Sequence, residues 1–374
     1  MTSPVYFTDR RSRSHQESLP GKLENLVENA GLEEVISPGD LVAVKLHFGE
    51  KGNTTFISPV YVRRVVDKIK EKGGKPYLVD TNTLYVGSRS NAVDHLQTAI
   101  ENGFSYATVG APLFIGDGLR GRNYQEVEVN GKHFEKVNIG NGIFEADSMV
   151  VLSHVKGHIL TGFGGALKNL GMGGGNRSAK QMMHSSVKPK VREEHCKGCA
   201  VCQPWCPEEA ITLIEREGNK KVAVINQEKC VGCAECLMAC RHNSIKINWK
   251  SEVDAVLERM SEHAFGAVKN KMNSCLYINF LLDVIPDCDC NSWSDAPVVP
   301  DIGLMASRDP VALDSASVEK INRQPGIKGT ALTDSFNSGE DKFKALYPDS
   351  SYEITLNHAE ELGMGTREYR LQEI

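Results

Sequence analysis

The sequence lacks an apolar run long enough to cross a bilayer, for which a helix needs about 20 consecutive apolar residues. The longest apolar stretch, residues 275–285, is far shorter and is interrupted by Asn279 and Asp283. Residues 1–16 are polar and contain no apolar core of the kind found in secretion signals. These absences predict a soluble cytoplasmic protein with no membrane partner.

A strong excess of charge of one sign is also lacking, since 43 Lys and Arg residues stand against 48 Asp and Glu residues. A short basic stretch, residues 188–192, is followed at once by Glu193 and Glu194. Proteins that bind nucleic acids usually gather Lys and Arg on one face, so no nucleic-acid partner is expected. The length of 374 residues and the hydrophobic fraction of 40% fit two or three globular domains.

Cysteine, in contrast, is plentiful, and eight of the 11 cysteines form two runs with the same C-x2-C-x2-C-x3-C spacing. This spacing is typical of bacterial ferredoxins that hold [4Fe–4S] clusters, in which the last cysteine of each run binds the other cluster. The sequence therefore predicts two [4Fe–4S] clusters. The expected ligands are Cys196, Cys199, Cys202 and Cys240 for the first cluster and Cys230, Cys233, Cys236 and Cys206 for the second.

Two other interpretations of the cysteines, zinc sites and disulfides, fit the spacing less well. Paired zinc sites would use C-x2-C pairs, but they leave the third and fourth cysteine of each run unexplained. Disulfides are rare in cytosolic proteins, where thiols are kept reduced. Iron–sulfur clusters remain the favoured interpretation.

The two cysteine runs belong to an internal duplication. A shift of 34 residues places each cysteine of the first run on its counterpart and places Ala210 and Ile211 on Ser244 and Ile245. We therefore expect a ferredoxin-like α+β module at residues 191–248. It would interrupt a larger domain formed by residues 1–190 and 249–374.

Around this module, short apolar segments alternate with amphipathic ones. Strands are predicted at residues 41–47, 76–80, 112–115, 148–153, 276–284 and 302–306, and helices at 59–72, 90–102 and 252–269. Nearly continuous apolar strands separated by helices indicate a mostly parallel sheet covered on both faces. The predicted fold is therefore α/β, a doubly wound sheet in two sequence halves.

In open α/β sheets, ligands bind beyond the carboxyl ends of the strands. The predicted strand ends carry His47, Asp80, Asp117, His154 and the segment at residues 286–290 (PDCDC). Loops often begin with polar residues, so a structural role for these side chains stays open. If a site exists, we expect it at this edge.

The densest group of candidate residues lies at 153–175. His154, His158 and His47 are candidates for proton transfer, with Lys168 as a further catalytic candidate. The expected residues for holding an anionic group or cofactor are Lys156, Gly162, Gly164, Gly165 and Asp80. The glycines also fit close helix–sheet packing, and they do not form the G-x-G-x-x-G motif of nicotinamide sites.

The remaining cysteines are Cys275, Cys288 and Cys290. Cys275 lies in an apolar strand and is expected in the core. Cys288 and Cys290 are candidates for an additional metal site, with His154 or His158 as a further ligand; a redox dithiol or buried inert thiols are the alternatives. Since neighbouring carboxylates raise a thiol pKa, Asp287 and Asp289 are expected to disfavour a reactive thiolate.

Several long motifs resemble those of the uncharacterised Fe–S-centre proteins of the domain-of-unknown-function family numbered 362, in the form with an inserted two-cluster ferredoxin module. They lie at residues 44–50 (VKLHFGE), 80–85 (DTNTLY), 153–158 (SHVKGH), 168–173 (KNLGMG), 287–290 (DCDC) and 307–314 (SRDPVALD). The resemblance covers residues 41–336. It implies iron–sulfur clusters and no particular reaction.

The first functional hypothesis is an oxidoreductase. Electrons would enter from a soluble carrier such as a ferredoxin, pass between the clusters and reach a substrate or cofactor at the strand ends. The candidate histidines would handle protons, and Lys156 and Lys168 would hold a small anionic substrate. A flavin would suit this role, although no flavin motif is present.

The alternative is a non-catalytic electron-transfer subunit whose α/β part docks a partner enzyme. It predicts an exposed apolar patch near one cluster and no small-molecule pocket. A redox or iron sensor is a third interpretation. Since exposed clusters react with oxygen, an anaerobic host fits each of these hypotheses.

Overall fold

The computed structural model describes residues 2–14, 17–85, 87–184, 188–206, 208–216, 218, 220–230, 236, 239–240, 242, 244–246 and 253–374. Its strands are β1 (Ser3–Asp9), β2 (Leu41–Lys45), β3 (Lys75–Asp80), β4 (Leu113–Ile115), β5 (Tyr124–Glu128), β6 (Lys136–Gly140), β7 (Ser148–His154), β8 (Lys156–His158), β9 (Gly162–Gly164), β10 (Lys190–Val191), β11 (Ile211–Arg216), β12 (Lys220–Ile225), β13 (Ile245–Lys246), β14 (Cys275–Leu281), β15 (Gly303–Ser307) and β16 (Tyr369–Glu373).

The helices are α1 (Leu19–Asn29), α2 (Leu32–Val35), α3 (Pro59–Glu71), α4 (Ala92–Glu101), α5 (Tyr106–Val109), α6 (Asn141–Phe144), α7 (Ala166–Gly174), α8 (Arg177–Met183), α9 (Val253–Val268), α10 (Pro310–Asn322), α11 (Lys342–Leu346) and α12 (Tyr352–Glu361). Short 3₁₀ turns lie at Gln203–Trp205 and Met272–Ser274.

The centre of the fold is an eight-stranded sheet in the order β16-β1-β15-β14-β7-β2-β3-β4. Only β15 runs against the other strands of this sheet, since it pairs antiparallel with both β1 and β14. The predicted α/β fold with a large, mostly parallel sheet is therefore confirmed. The antiparallel direction of β15 and the two strands β1 and β16 at one end of the sheet were not predicted.

The sheet is buried on both faces because residues along each strand alternate between two cores. In β7, Met149 and Val151 pack into one core and Val150 and Leu152 into the other. Helix α3 covers the second face and begins at Pro59, with Ser58 capping its first turn. Its buried residues recur at helical spacing and are Val62, Val65, Val66 and Ile69.

The sheet joins the two sequence halves. Strand β7, which precedes the cysteine-rich segment, pairs in parallel with β14, which follows it. Strand β14 ends at Leu281, so residues 286–290 lie in the following loop and not at a strand end as predicted. Gly157 N donates a hydrogen bond of 2.8 Å to Ile285 O, which brings this loop alongside the end of β7.

The cysteine-rich segment has its own small core and two strand pairs outside the main sheet, β10 with β13 and β11 with β12. Its backbone bonds obey the 34-residue shift seen in the sequence. Arg192 N donates to Ser244 O at 2.7 Å, and Asn226 N donates to Ala210 O at 2.8 Å. These two hydrogen bonds join the beginning of each repeat to the end of the other repeat.

Candidate functional site

The main cavity lies at the carboxyl ends of β2, β3 and β7. Strands β3 and β4 lie on one side of β2 in the sheet, whereas β7 and β14 lie on its other side. The cavity therefore lies at the topological switch point of the sheet, where α/β proteins bind ligands. The volume of the cavity is about 70 Å³. Its lining residues are Lys45, His47, Ile57, Asp80, Leu152, Ser153, His154, Lys156, Gly164, Gly165, Lys168, Asn169, Met172, Gly173, Cys288 and Asp289.

One wall of the cavity is a buried network around Asp80. Lys45 Nζ lies 3.1 Å from Asp80 Oδ1 and 2.7 Å from Asn169 Oδ1. Arg89 lies 3.7 Å from the other carboxylate oxygen and binds Glu50 at 3.1 Å. Burial opposes ionisation of Asp80, but Lys45 and the neighbouring cationic side chains outweigh it and hold its pKa below the usual value.

His47 contributes a neutral ring to this wall. Its Nδ1 accepts a hydrogen bond of 2.9 Å from Gly49 N, which leaves the ring hydrogen on Nε2. Burial lowers the pKa of His47 to about 3. The predicted proton-transfer candidate is therefore a hydrogen-bond donor at neutral pH.

The opposite wall centres on Asp289, which is fully buried. Its carboxylate lies 2.9 Å from His154 Nδ1 and 2.6 Å from Lys156 Nζ. Burial opposes the charge on Asp289, but His154 and Lys156 outweigh it and lower its pKa. The Nε2 of His154 faces the carbonyl oxygens of Leu282 and Asp283 at 3.0 Å, so both ring nitrogens are engaged within the chain. His154 therefore positions Asp289 and has no nitrogen left for a ligand.

Gly157 allows the two segments of this wall to approach. A side-chain Cβ at this position would lie 2.3 Å from Pro286 O, a separation that real Cβ atoms do not tolerate. The close approach brings residues 286–290 beside residues 154–158. It explains how Cys288 and Asp289 reach a cavity formed by strands from the other half of the chain.

Cys288 lines the cavity and is surrounded by hydrogen-bond donors. Lys168 Nζ lies 3.3 Å from its Sγ, and Cys290 N donates to the same sulfur at 3.4 Å. The Cys290 thiol, the Lys168 amine and the His158 ring together lower the pKa of Cys288 well below its ordinary value, against the opposing effect of burial. The expectation that Asp287 and Asp289 would disfavour a thiolate is wrong, because the Asp289 carboxylate points to His154 and Lys156 instead.

Cys288 and Cys290 do gather with a histidine, as the metal hypothesis requires. One ligand atom from each of His158, Cys288 and Cys290 lies within 4.8 Å of the others. However, His158 Nδ1 accepts hydrogen bonds of 3.1 Å from Leu160 N and Thr161 N. A neutral ring then carries its hydrogen on Nε2 and offers no lone pair to a metal ion, so this arrangement does not fit a metal site.

The start of α7 holds an internal carboxylate. Asp314 Oδ1 and Oδ2 accept hydrogen bonds of 2.8 and 2.9 Å from Ala166 N and Leu167 N. A Cβ on Gly165 would lie 2.3 Å from Asp314 Oδ1. Gly165 therefore makes room for Asp314, and the amides of Ala166 and Leu167 at the start of α7 are satisfied within the chain.

The other predicted residues fall in three places. Lys156, Lys168, Gly164 and Asp80 all line the cavity. Gly162 lies in β9 outside its lining, with a φ of +67°. Asp117 is buried behind Asn82, which donates to it, and burial raises its pKa to about 6.

Several residues of the site were missed by the sequence analysis. Arg89 and Glu50 form a buried pair in loops, where no periodic pattern marks them. Asn169 and Asp314 lie on helices and bond to Lys45 and to α7. The sequence did indicate Asp289, because it lies in the PDCDC segment at residues 286–290, which follows a predicted strand.

A second, smaller cavity, of about 20 Å³, lies in the cysteine-rich segment. Four cysteines line it, namely Cys196, Cys199, Cys202 and Cys240, which are the four assigned to the first cluster. Cys196 Sγ accepts a hydrogen bond from Ala223 N, and Cys240 Sγ accepts one from Ser244 N, both at 3.4 Å. Three buried or half-buried thiols and one exposed thiol thus converge, with backbone donors to the sulfurs. This donor set fits a [4Fe–4S] cluster.

The second cysteine set is described in part. Cys206, Cys230 and Cys236 pack against the same small core, and Cys233 lies outside the described residues. Cys206 Sγ accepts a hydrogen bond from Ala210 N at 3.2 Å, which matches the Ser244–Cys240 bond of the other repeat. Cys275 is buried in the main core, as expected, and donates to Lys271 O at 3.2 Å. None of the ten described cysteines forms a disulfide.

None of the helices in the described part of the chain combines the length and apolar character that a membrane-spanning helix needs. No curated protein matches the chain in sequence.

Two solved structures are similar in part. The lactate racemase apoprotein from Thermoanaerobacterium thermosaccharolyticum is 13% identical with a TM-score of 0.43, over 86% of this chain and 58% of that one. A protein from Thermotoga maritima solved by the Northeast Structural Genomics Consortium is 10% identical with a TM-score of 0.37, over 92% and 59%. The chain thus spans less than three-fifths of the length of either. In sequence, residues 42–319 match the family described as Domain of unknown function (DUF362), and the chain belongs to that family.

Proposed function

We propose that the chain carries two [4Fe–4S] clusters and passes electrons to or from a small molecule bound in the cavity at the strand ends. The observation that carries this proposal is the convergence of Cys196, Cys199, Cys202 and Cys240 on one cavity. These cysteines come from both sequence runs. Their grouping is the one that the two-cluster ferredoxin spacing requires.

The hydrogen bonds to the sulfurs support the same proposal. Clusters of this kind supply one-electron transfer, and N–H donors to their sulfurs raise the reduction potential. Ala223, Ala210 and Ser244 provide such donors to Cys196, Cys206 and Cys240. The chain therefore offers preorganised polar contacts around the thiols.

The cavity at the strand ends suits a polar molecule. Lys45, Lys156 and Lys168 face it, each held by a buried acidic or thiol partner, and His47 offers a ring N–H. These partners fix the amines in place, so a small anionic substrate would meet an oriented set of donors. A soluble electron carrier such as a ferredoxin would supply or accept the electrons. A flavin in the cavity would link one- and two-electron steps.

The first test is metal and acid-labile sulfide analysis of the anaerobically purified chain, with visible spectra before and after dithionite. We expect about eight iron and eight sulfide per chain, with bleaching on reduction. A Cys275→Ala variant, which removes a thiol in the main core, should keep the same content. Zinc without sulfide would contradict the proposal.

The crossed assignment of the cysteines has a sharper test. In a Cys240→Ala variant, we expect iron to fall to about four per chain. Anaerobic alkylation with peptide mapping should then modify Cys196, Cys199 and Cys202, while the cysteines of the second run stay protected. Alkylation of the second run instead would show that each run binds its own cluster.

The alternative proposal is a non-catalytic subunit that docks a partner enzyme. Trp205 favours it, because this large side chain precedes Cys206 and is 41% exposed. Trp205→Ala should then weaken electron transfer to the partner without changing the iron content. A single chain that turns over a small molecule without a stoichiometric partner would argue against it.

A further inference from the structure

We propose that Cys288 and Cys290 form a redox-active dithiol in the wall of the strand-end cavity, with Cys288 as the attacking thiolate and Cys290 as the resolving thiol. This inference rests on the cavity of the proposed function but not on the iron–sulfur clusters. The substrate class is a small molecule that contains a disulfide bond.

The contacts of Cys288 suit a thiolate. Its Sγ accepts hydrogen bonds from Lys168 Nζ at 3.3 Å and from Cys290 N at 3.4 Å. His158 and the Cys290 thiol also hydrogen-bond to it. Four donors around one sulfur stabilise a negative charge on it.

His158 can only act as a donor in this arrangement. Its Nδ1 is occupied by the Leu160 and Thr161 amides, and burial lowers its pKa, with Lys168 acting in the same direction. The neutral ring therefore points its Nε2–H toward the sulfur. The histidine stabilises the Cys288 thiolate and does not remove a proton during the reaction.

Although Cys290 is the more exposed overall, the two cysteines differ in their access to the cavity in a way that fits their roles. Cys288 is 6% exposed but lines the cavity, so a bound molecule reaches its sulfur from that side. Cys290, two residues later, does not line the cavity, although its sulfur lies within 4.8 Å of Cys288 Sγ. The hydrogen bond to Cys288 raises the pKa of Cys290 well above its usual value, and burial and the charge on Cys288 add to this effect. Cys290 thus stays protonated until Cys288 has reacted.

The reaction balances as two exchange steps. The Cys288 thiolate attacks one sulfur of the substrate, a mixed disulfide forms, and the other sulfur leaves as a thiolate. Cys290 then loses its proton and attacks Cys288 Sγ, which releases the second substrate sulfur as a thiolate. The dithiol has given two electrons to the substrate and has become the Cys288–Cys290 disulfide, and the proton of Cys290 is taken up by one of the released thiolates.

The first experiment is timed alkylation of the anaerobic full-length chain with iodoacetamide, followed by peptide mapping. At about pH 6, where an ordinary thiol with a pKa of about 8.5 is protonated, Cys288 should react at least about tenfold faster than Cys275. Lys168→Met should slow the Cys288 reaction about tenfold. Equal and slow rates for both cysteines would overturn the proposal.

The second experiment identifies the resolving thiol. Treatment with oxidised glutathione should give an internal Cys288–Cys290 disulfide, seen as the loss of two hydrogen atoms from their shared peptide. In Cys290→Ser, a glutathione adduct should remain on Cys288. Absence of both products, or protection of both cysteines by one tightly bound zinc ion, would refute the dithiol.

These results separate the two proposals. Iron analysis that finds no clusters would remove the proposed electron transfer and leave the alkylation pattern unchanged. An inert Cys288 in a chain with about eight iron would remove the dithiol alone.

Discussion

At the scale of single residues, the candidate site is built from buried opposite charges. Lys45 with Asp80 and Lys156 with Asp289 are almost fully enclosed. Removing both charges of such a pair often changes stability little, whereas removing one leaves the other charge buried without its partner. The pairs therefore fix geometry more than they add stability.

Lys45→Met tests this interpretation. Loss of the amine leaves the Asp80 carboxylate buried with the Thr81 N–H and with Arg89 and His95, each 3.7 Å away. We therefore expect a loss of about 3–5 kcal/mol in the free energy of unfolding. Urea denaturation measures it. The control Lys72→Met, at the surface pair with Glu33, should cost about 1 kcal/mol or less.

The double variant Lys45→Met with Asp80→Asn completes the cycle. With the charge on both sides removed, stability should recover by about 2 kcal/mol relative to Lys45→Met alone. If the double variant is the less stable of the two, the buried pair is not the source of the loss.

The sequence indicates some of these residues and hides others for a physical reason. His47, Asp80 and His154 follow continuous apolar strands, so their position at the strand ends could be predicted. Arg89 and Glu50 lie in loops and meet only because the chain folds back on itself. The environment of Cys288 depends on side-chain direction, which neighbours in sequence do not determine: Asp289 turns away and Lys168 arrives from α7.

At the scale of elements, one buried carboxylate joins three parts of the fold. Glu262 on α9 accepts hydrogen bonds from His133 N at 2.8 Å and Phe134 N at 2.9 Å, in the turn between β5 and β6. It also lies 3.2 Å from His358 Nε2 on α12. Helix α9 is thereby held to a hairpin and to a second helix.

Glu262→Ala should therefore destabilise the hairpin and α12 together. Two backbone donors and a histidine lose their partner, and each buried donor without a partner costs about 1–3 kcal/mol, so we expect a loss of about 3 kcal/mol. Hydrogen exchange should show faster exchange at residues 124–140 and 352–361. Glu258→Ala, one turn earlier and more exposed, is the matched control, and an equal effect there would contradict the prediction.

His358 adds a pH dependence to this junction. Burial opposes its protonation, but the hydrogen bonds to Glu262 and Glu361 outweigh it and raise its pKa above the ordinary value. Protonated His358 therefore stabilises the fold fully below about pH 6.5, the pKa of an unfolded histidine, and this contribution is lost as the pH rises through the raised pKa. Glu258 and His133 also face this junction.

Unfolding of the wild type and His358→Gln across this pH range checks the sign. The wild type should lose more stability than the variant as the pH increases from about 6 to 9. Parallel curves for the two proteins would show that His358 does not contribute.

At the scale of the whole molecule, the cysteine-rich segment interrupts a sheet that is continuous in space. Met183 at the end of α8 and Val253 at the start of α9 pack in one hydrophobic cluster with Leu257. The points where the segment leaves and rejoins the α/β part are therefore close together. Such positions tolerate the insertion of a separate folding unit.

Replacing residues 188–252 with a short Gly/Ser linker should leave the α/β part folded. The eight-stranded sheet and both of its cores lie outside this segment. Circular dichroism and urea denaturation of the shortened chain should show one cooperative transition, with no bound iron. A shortened chain that does not fold would show that the segment is an integral part of the core.

The fold was predicted where burial determines the sequence pattern. Strands β2 and β7 are continuous apolar runs because both faces of the sheet are covered. Strands β1 and β16, at one end of the sheet, carry mixed polar residues since this end of the sheet meets solvent. The reversed direction of β15 leaves no mark in its own residues, because a buried strand needs the same apolar side chains in either direction.

The pairing of β7 with β14 has a consequence for synthesis. A ribosome makes the chain from its amino end, so residues 191–248 emerge before Cys288 and Asp289 do. Until then His154 and Lys156 lack the Asp289 carboxylate as a partner. Strand β7 is then an edge strand, because β14 has not yet paired with it. The strand-end cavity is therefore completed only after the cysteines of the inserted segment have already left the ribosome.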